Sequence, residues 1–122
     1  MTEDPIWVDF RATTAEAARK LSEKRVHHLP VLREGLVIGV VSDRDLRSGP
    51  AHGLDSSDLP VTSVMSDHPV MVTPDTDLKD VADRMIERHI GAVVVVDPES
   101  TRLVGIVSYV DVLRVVRESL WG

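Results

Sequence analysis

Two short stretches of this 122-residue chain carry the same spaced set of polar residues. In Gly39-Val40-Val41-Ser42-Asp43-Arg44-Asp45, a serine follows a glycine by three residues and an aspartate follows the serine by three more. Gly105-Ile106-Val107-Ser108-Tyr109-Val110-Asp111 repeats that spacing 66 residues later. A glycine has no Cβ, so a ligand or a neighbouring backbone can come close. A serine where a strand enters a helix sets its hydroxyl beside unpaired helical N–H groups, which suits a phosphate or a polar sugar atom. An aspartate three residues on lies in the first helical turn and can accept hydrogen bonds from two vicinal hydroxyls. The ribose-reading acid of dinucleotide folds does the same by another route. Ser-x-x-Asp is equally the pattern of an N-cap followed by an acid that the helix dipole favours. One residue pair can serve both ends.

Other groups invite narrower readings. Arg44 is always charged and can fork onto a phosphate. His27 and His28 are adjacent near a strand start, so their side chains diverge to opposite faces. Neighbours of that kind do not chelate one ion, and no His-x3-His or Cys partner exists, so no metal site is expected. His52, His68 and His89 are scattered and read as surface residues, and Met65, Met71 and Met85 as core filler. No nucleophile–base pair, paired carboxylates or Walker loop is present, so no catalytic residue is assigned.

Composition narrows the field further. There are 14 Lys+Arg against 20 Asp+Glu, a net charge of −6, and no Cys. That excludes thiol catalysis, Cys-ligated metals and disulfides, and fits a reducing, cytoplasmic setting. An acidic balance argues against nucleic acid and anionic membranes, which need clustered cations. The longest apolar run, Ile90–Val96, is far short of a membrane span. Met1–Pro5 has neither the basic nor the apolar region of a signal peptide. Trp7, Phe10, Tyr109 and Trp121 are the only aromatic residues, so the core must be aliphatic.

The elements that position these groups come from an internal repeat. Residues 1–31 align with 65–95 at an offset of 64, matching Pro5 with Pro69, Ala18 with Ala82 and Val31 with Val95. The offset becomes 66 at Gly39 and Gly105, and the two extra residues fall in the turn Asp97–Arg102, where insertion is tolerated. Each half predicts a short extended piece (Ile6–Val8; Val70–Val72) and a helix (Thr14–Lys24; Asp77–Arg88). An apolar strand (His28–Leu32; Ala92–Val96), a second strand (Leu36–Val41; Leu103–Val107) and a helix from Ser42 or Ser108 follow. Leu78, Val81, Ala82, Met85 and Ile86 form one helical stripe, and Thr13 with Glu16 is a capping-box pattern. The boundaries are repeat 1 at 1–48, a linker at 49–60 and repeat 2 at 61–122, with a helical turn at Val61–Met65. The fold class is α/β in an α+β arrangement. Two pseudo-symmetric β-α-β-β-α repeats are expected to bury their open sheet faces as one module.

On these residues the chain resembles a tandem pair of cystathionine β-synthase (CBS) domains, a Bateman module. The resemblance spans essentially the whole sequence. Its carriers are His27-His28-Leu29-Pro30-Val31 and the doubled Gly-x-x-Ser-x-x-Asp. It departs from strict repetition at Pro30, whose counterpart is Val94, and at Val61–Val64, which has no counterpart before Met1. The resemblance implies a regulatory module with no chemistry of its own and no required cofactor. It would bind an adenosyl ligand (AMP, ADP, ATP or S-adenosylmethionine, with magnesium accompanying a polyphosphate) in clefts between the repeats, and pair as a two-fold homodimer.

Carried over by position, the resemblance gives two unlike clefts. One joins Ser108 and Asp111 to Pro5, Ile6, His27, His28 and Arg44, with cationic groups placed for phosphate. A phosphate there would raise the proton affinity of the histidines, so binding would strengthen in mild acid. The weaker cleft joins Ser42 and Asp45 to Pro69, Val70, Gly91, Ala92 and Val110, none of them cationic. Trp7 and Tyr109 could flank an adenine. The alternative function is a ligand-independent dimerisation or protein-interaction module. Its surface would come from the last helix, through Val112, Val115, Val116, Leu120 and Trp121. The regulated partner is not named by the sequence.

Overall fold

The computed structural model describes residues 2–3, 5–48 and 59–121. Most of the expected linker (residues 49–58, with His52) and the Trp121 side chain lie outside the described residues. The architecture is mixed α+β and forms two units, Ile6–Pro69 and Met1–Pro5 with Val70–Gly122.

In the first unit, β2 (Val8–Asp9) runs parallel to β3 (His28–Arg33), and β3 pairs antiparallel with β4 (Leu36–Ser42). Helix α1 (Thr14–Lys24) connects β2 to β3, and α2 (Asp43–Ser48) follows β4 directly. A 3-10 turn, Val61–Ser63, completes the unit. In the second unit, β5 (Met71–Val72) runs parallel to β6 (Ala92–Val96), which pairs antiparallel with β7 (Leu103–Ser108). Helix α3 (Leu78–Arg88) connects β5 to β6, and α4 (Tyr109–Trp121) follows β7. The N-terminal strand β1 (Thr2–Glu3) pairs antiparallel with β7.

Local chemistry explains these elements. Thr13 Oγ1 accepts a 3.2 Å hydrogen bond from the Glu16 amide, so half of the expected capping box is formed. Asp77 precedes α3 rather than starting it, and its side chain makes no cap hydrogen bond. Helices α1 and α3 both end on a left-handed residue, Arg25 and His89, at φ 55°. The β3–β4 turn uses Glu34 and Gly35 at φ 51° and 83°, the positive values that a two-residue hairpin needs. The longer β6–β7 turn is held by Asp97 Oδ1, which accepts from the Glu99 and Ser100 amides at 2.8 and 2.9 Å. That Asx turn absorbs the two extra residues. Both hairpins shift register at matching places, between Val31 and Leu32 and between Val95 and Val96.

Each unit has its own aliphatic core. Ala17 and Leu21 of α1 pack on Val8, Leu29, Val31 and Val41, while Val81 and Met85 of α3 pack on Val72, Val93, Val95 and Val107. The sequence repeats and the structural units do not share boundaries. Ser66, just ahead of the second repeat's Pro69, exchanges hydrogen bonds with Val40 in β4 at 2.9 and 3.1 Å. Thr2, its counterpart, pairs with Ile106 in β7, which is the counterpart of Val40. The leading segment of each repeat therefore closes the open edge of the other repeat's hairpin.

Candidate functional site

Both strand-to-helix junctions are built alike. The Ser42 amide donates to Asp45 Oδ2 at 2.8 Å, and the Asp45 amide donates back to Ser42 Oγ at 3.1 Å. The Ser108 amide donates to Asp111 Oδ2 at 2.8 Å, and the Asp111 amide donates to Ser108 Oγ at 3.4 Å. Ser108 Oγ also donates to Asp111 Oδ2 at 3.3 Å. The capping reading is thus realised at both sites. It also fixes each carboxylate. Oδ2 is held by the junction, while among the described residues Oδ1 accepts no hydrogen bond. A half-buried carboxylate with one oxygen anchored offers the other to an incoming hydroxyl pair without losing rotamer freedom.

The backbone beside each junction repeats as well. His28 lies opposite Ser42 in the ladder, and the Asp43 amide donates to the His27 carbonyl at 3.1 Å. Ala92 lies opposite Ser108, and the Tyr109 amide donates to the Gly91 carbonyl at 2.9 Å. The first unit thus brings Ser42 and Asp45 together with His27, His28 and Arg44, and it also contains Ile6 and Pro69. The second unit brings Ser108, Asp111 and Val110 together with Gly91 and Ala92, and it also contains Pro5 and Val70. Gly39 fulfils the close-approach expectation through protein. A Cβ there would lie 2.5 Å from Met65 Sδ and 2.7 Å from the Ser66 carbonyl oxygen.

The histidines differ from each other. His27 Nδ1 donates to Asp43 Oδ2 at 2.8 Å, and Arg47 Nη1 stands 3.6 Å from the same oxygen. Burial pushes the Asp43 carboxyl up. The His27 hydrogen bond, the Arg44 backbone N–H and the charges of His27 and Arg47 outweigh that and hold it below its usual range. The sequence pattern alone does not single out Asp43. Its position directly after the junction serine was the available signal. His28 is pushed below its ordinary value, first by burial and further by the charge of His27, against the opposing pull of Asp43 and Asp45.

The pH dependence follows from that direction. Above the ordinary value, both folded and unfolded His28 are neutral. Below it, the unfolded chain takes the proton first, so stability falls as pH falls. Urea denaturation should show lower stability at about pH 5.5 than at about pH 7.5, with a smaller drop in His28→Gln. An unchanged drop in the variant would remove His28 as its source.

Among the described residues, no group of three or more acidic or histidine side chains could hold a metal ion. No described helix is long and apolar enough to cross a membrane.

Comparison with known proteins agrees with this geometry. CBS domain-containing protein YhcV of Bacillus subtilis is 33% identical over 112 residues, covering 91% of this chain and 78% of that protein. Other curated relatives are much longer. The chain spans 36% of an uncharacterized protein of Methanocaldococcus jannaschii and 23% of homoserine O-acetyltransferase of Methanohalobium evestigatum. The CBS domain pair of protein MJ0100, solved with 5'-methylthioadenosine and S-adenosyl-L-methionine, superposes with a TM-score of 0.84. It is 27% identical, and the match covers 94% of this chain and 93% of that one. CBSX2, solved with AMP, gives a TM-score of 0.80 at 27% identity, covering 98% of this chain and 93% of that one. The CBS domain model matches residues 1–51 and 61–118, once over each repeat, and the chain belongs to the CBS domain family.

Proposed function

We propose that this chain is a regulatory module that senses an adenosyl ligand: AMP, ADP, ATP or S-adenosylmethionine. It does no chemistry of its own. The observation that carries this reading is the doubled junction, where Asp45 and Asp111 are each anchored through Oδ2 and leave Oδ1 for a ribose diol. The solved relatives with bound methylthioadenosine, S-adenosylmethionine and AMP support it. A ligand shifts a conformational or assembly equilibrium only by binding one state more tightly than the other. The output would be the module's own association or that of a regulated partner protein.

We assign the nucleotide to Asp111 and Ser108, with Pro5, Ile6, His27, His28 and Arg44 as its further contacts. Ser42 and Asp45, with Pro69, Val70, Gly91, Ala92 and Val110, make the weaker site, suited to a ligand with an apolar or cationic tail. Calorimetry with AMP, ATP and S-adenosylmethionine tests this. Hydrogen bonds to a charged group contribute about 1.5–3 kcal/mol, so Asp111→Ala should weaken the best ligand roughly 10- to 100-fold. Asp45→Ala should change it far less. Equal losses in both variants would overturn the assignment, and no binding by any adenosyl ligand would overturn the sensor.

A second reading has its own observation. Tyr109, Leu113, Val116 and Leu120 are exposed large apolar residues of α4 at the spacing of a helix–helix seam. They favour a homodimer, whether ligand-driven or ligand-independent. Light scattering should give a dimer mass, and Leu113→Glu with Leu120→Glu a monomer.

A further inference from the structure

The two repeats share one backbone frame beside their junctions, and only the first adds a side-chain pair to it. The Asp43 amide meets the His27 carbonyl just as the Tyr109 amide meets the Gly91 carbonyl. In the first repeat the same two residues also join through their side chains, with His27 Nδ1 2.8 Å from Asp43 Oδ2. Their counterparts, Gly91 and Tyr109, have no ionisable pair to offer. His28 and Arg44 are matched in the second repeat by Ala92 and Val110. The first repeat therefore gathers basic side chains where β3 and α2 begin, and sets among them a carboxylate that the second repeat lacks.

Asp43 acts on that set in two ways. The first concerns the imidazole. An ionised carboxylate accepts and cannot donate, so the proton of a neutral His27 must sit on Nδ1. Nε2 then carries a lone pair and has nothing to donate to a phosphate. The second concerns charge. Burial pushes the Asp43 carboxyl up, but its hydrogen bonds and the charges of His27 and Arg47 outweigh that, so it is ionised at neutral pH. It stands 3.6 Å from Arg47 Nη1, and its charge also pulls on His28. A phosphate brought to His27, His28 and Arg44 would face the Nε2 lone pair or have to break the Asp43 bond, and it meets a like charge in either case. An uncharged ligand tail meets neither obstacle. Resting on the nucleotide site proposed above, we infer that Asp43 is a specificity determinant of that site. It handicaps a 5'-phosphate and so lets adenosyl ligands with uncharged tails compete with phosphorylated ones. Asp43 works through His27 and through its charge, as a positioning residue rather than a ligand contact.

AMP and 5'-methylthioadenosine are suitable probes, because they share the adenosine and differ only in the 5' group, phosphate against thioether. Calorimetry on the full chain at about pH 8 keeps imidazole neutral and the AMP phosphate fully charged. Asp43→Asn removes the charge at nearly constant shape, and its amide can donate to Nδ1, which moves the imidazole proton to Nε2. This variant should bind AMP about tenfold more tightly than the parent. Its affinity for methylthioadenosine should stay within about twofold, which also shows that it is folded. Asp83→Asn removes an equal charge from an exposed pair with Lys79 on α3 and should alter neither affinity. Adding His27→Gln to Asp43→Asn should shrink the AMP gain, because the two side chains act together. Equal gains for both ligands would overturn the inference and leave the nucleotide site standing. So would AMP affinity that is unchanged or lowered in Asp43→Asn. A parent that binds neither ligand would overturn the nucleotide site itself, and this inference with it.

Discussion

Val61→Asp should abolish most of the stability of the Ile6–Pro69 unit. Val61 is fully buried in that unit's core, beside Val8, Ala17 and Leu29. Its amide donates to the Ala12 carbonyl at 2.8 Å, and the neighbouring Leu59 carbonyl accepts from the Thr14 amide at 2.9 Å. The segment is therefore fixed on both its backbone and its side chain. A carboxylate placed there would sit in an aliphatic cluster, and an uncompensated buried charge costs about 3–5 kcal/mol. A domain of this kind has only about 5–15 kcal/mol in total. Hydrogen exchange should show lost protection across β3 and β4. Thr62→Ala, an exposed neighbour, should leave exchange as in the parent. Retained protection in Val61→Asp would mean that residues 59–66 are not part of that core.

Gly39→Ala should destabilise the same unit by about 1–3 kcal/mol, the usual penalty for forcing volume into a packed site. Met65 can move its flexible end, but the Ser66 carbonyl cannot. That oxygen accepts from the Val40 amide at 3.1 Å, and it stands 2.7 Å from where the new methyl would sit. Relief therefore requires breaking the Ser66–Val40 pair. Thermal denaturation should show the melting temperature down by several degrees. An unchanged melting point would show that the Ser66 segment shifts without penalty.

The element order and nearly every helix and strand were legible because the repeat shows each period twice. The Ala92–Val96 strand is buried throughout as its apolar run implies, whereas the α3 stripe is only partly used: Val81 and Met85 are buried, and Leu78 and Ile86 stay exposed. The exchange of leading segments was not legible. Thr2–Glu3 and Ser66 carry no strand signal of their own, being polar and only one or two residues of pairing long. They pair because β7 and β4 offer open edges, which is a tertiary demand. The junction motif was legible in residue types and spacing, including its capping role. What spacing could not convey is the division of labour between the two oxygens of each aspartate, or the capture of His27 by Asp43. Those depend on side-chain directions that only the built hairpin defines.

The exchanged segments also say something about how such a chain could begin. A single repeat alone has its second hairpin strand ending in unmet backbone donors and acceptors, and its own leading segment lacks a strand to join. Two copies of a single repeat satisfy each other at once by trading those segments. Tandem duplication then needs only to tie the traded pair into one chain. Splitting this protein within residues 49–58 should accordingly yield two fragments that are poor folders apart and recombine when mixed.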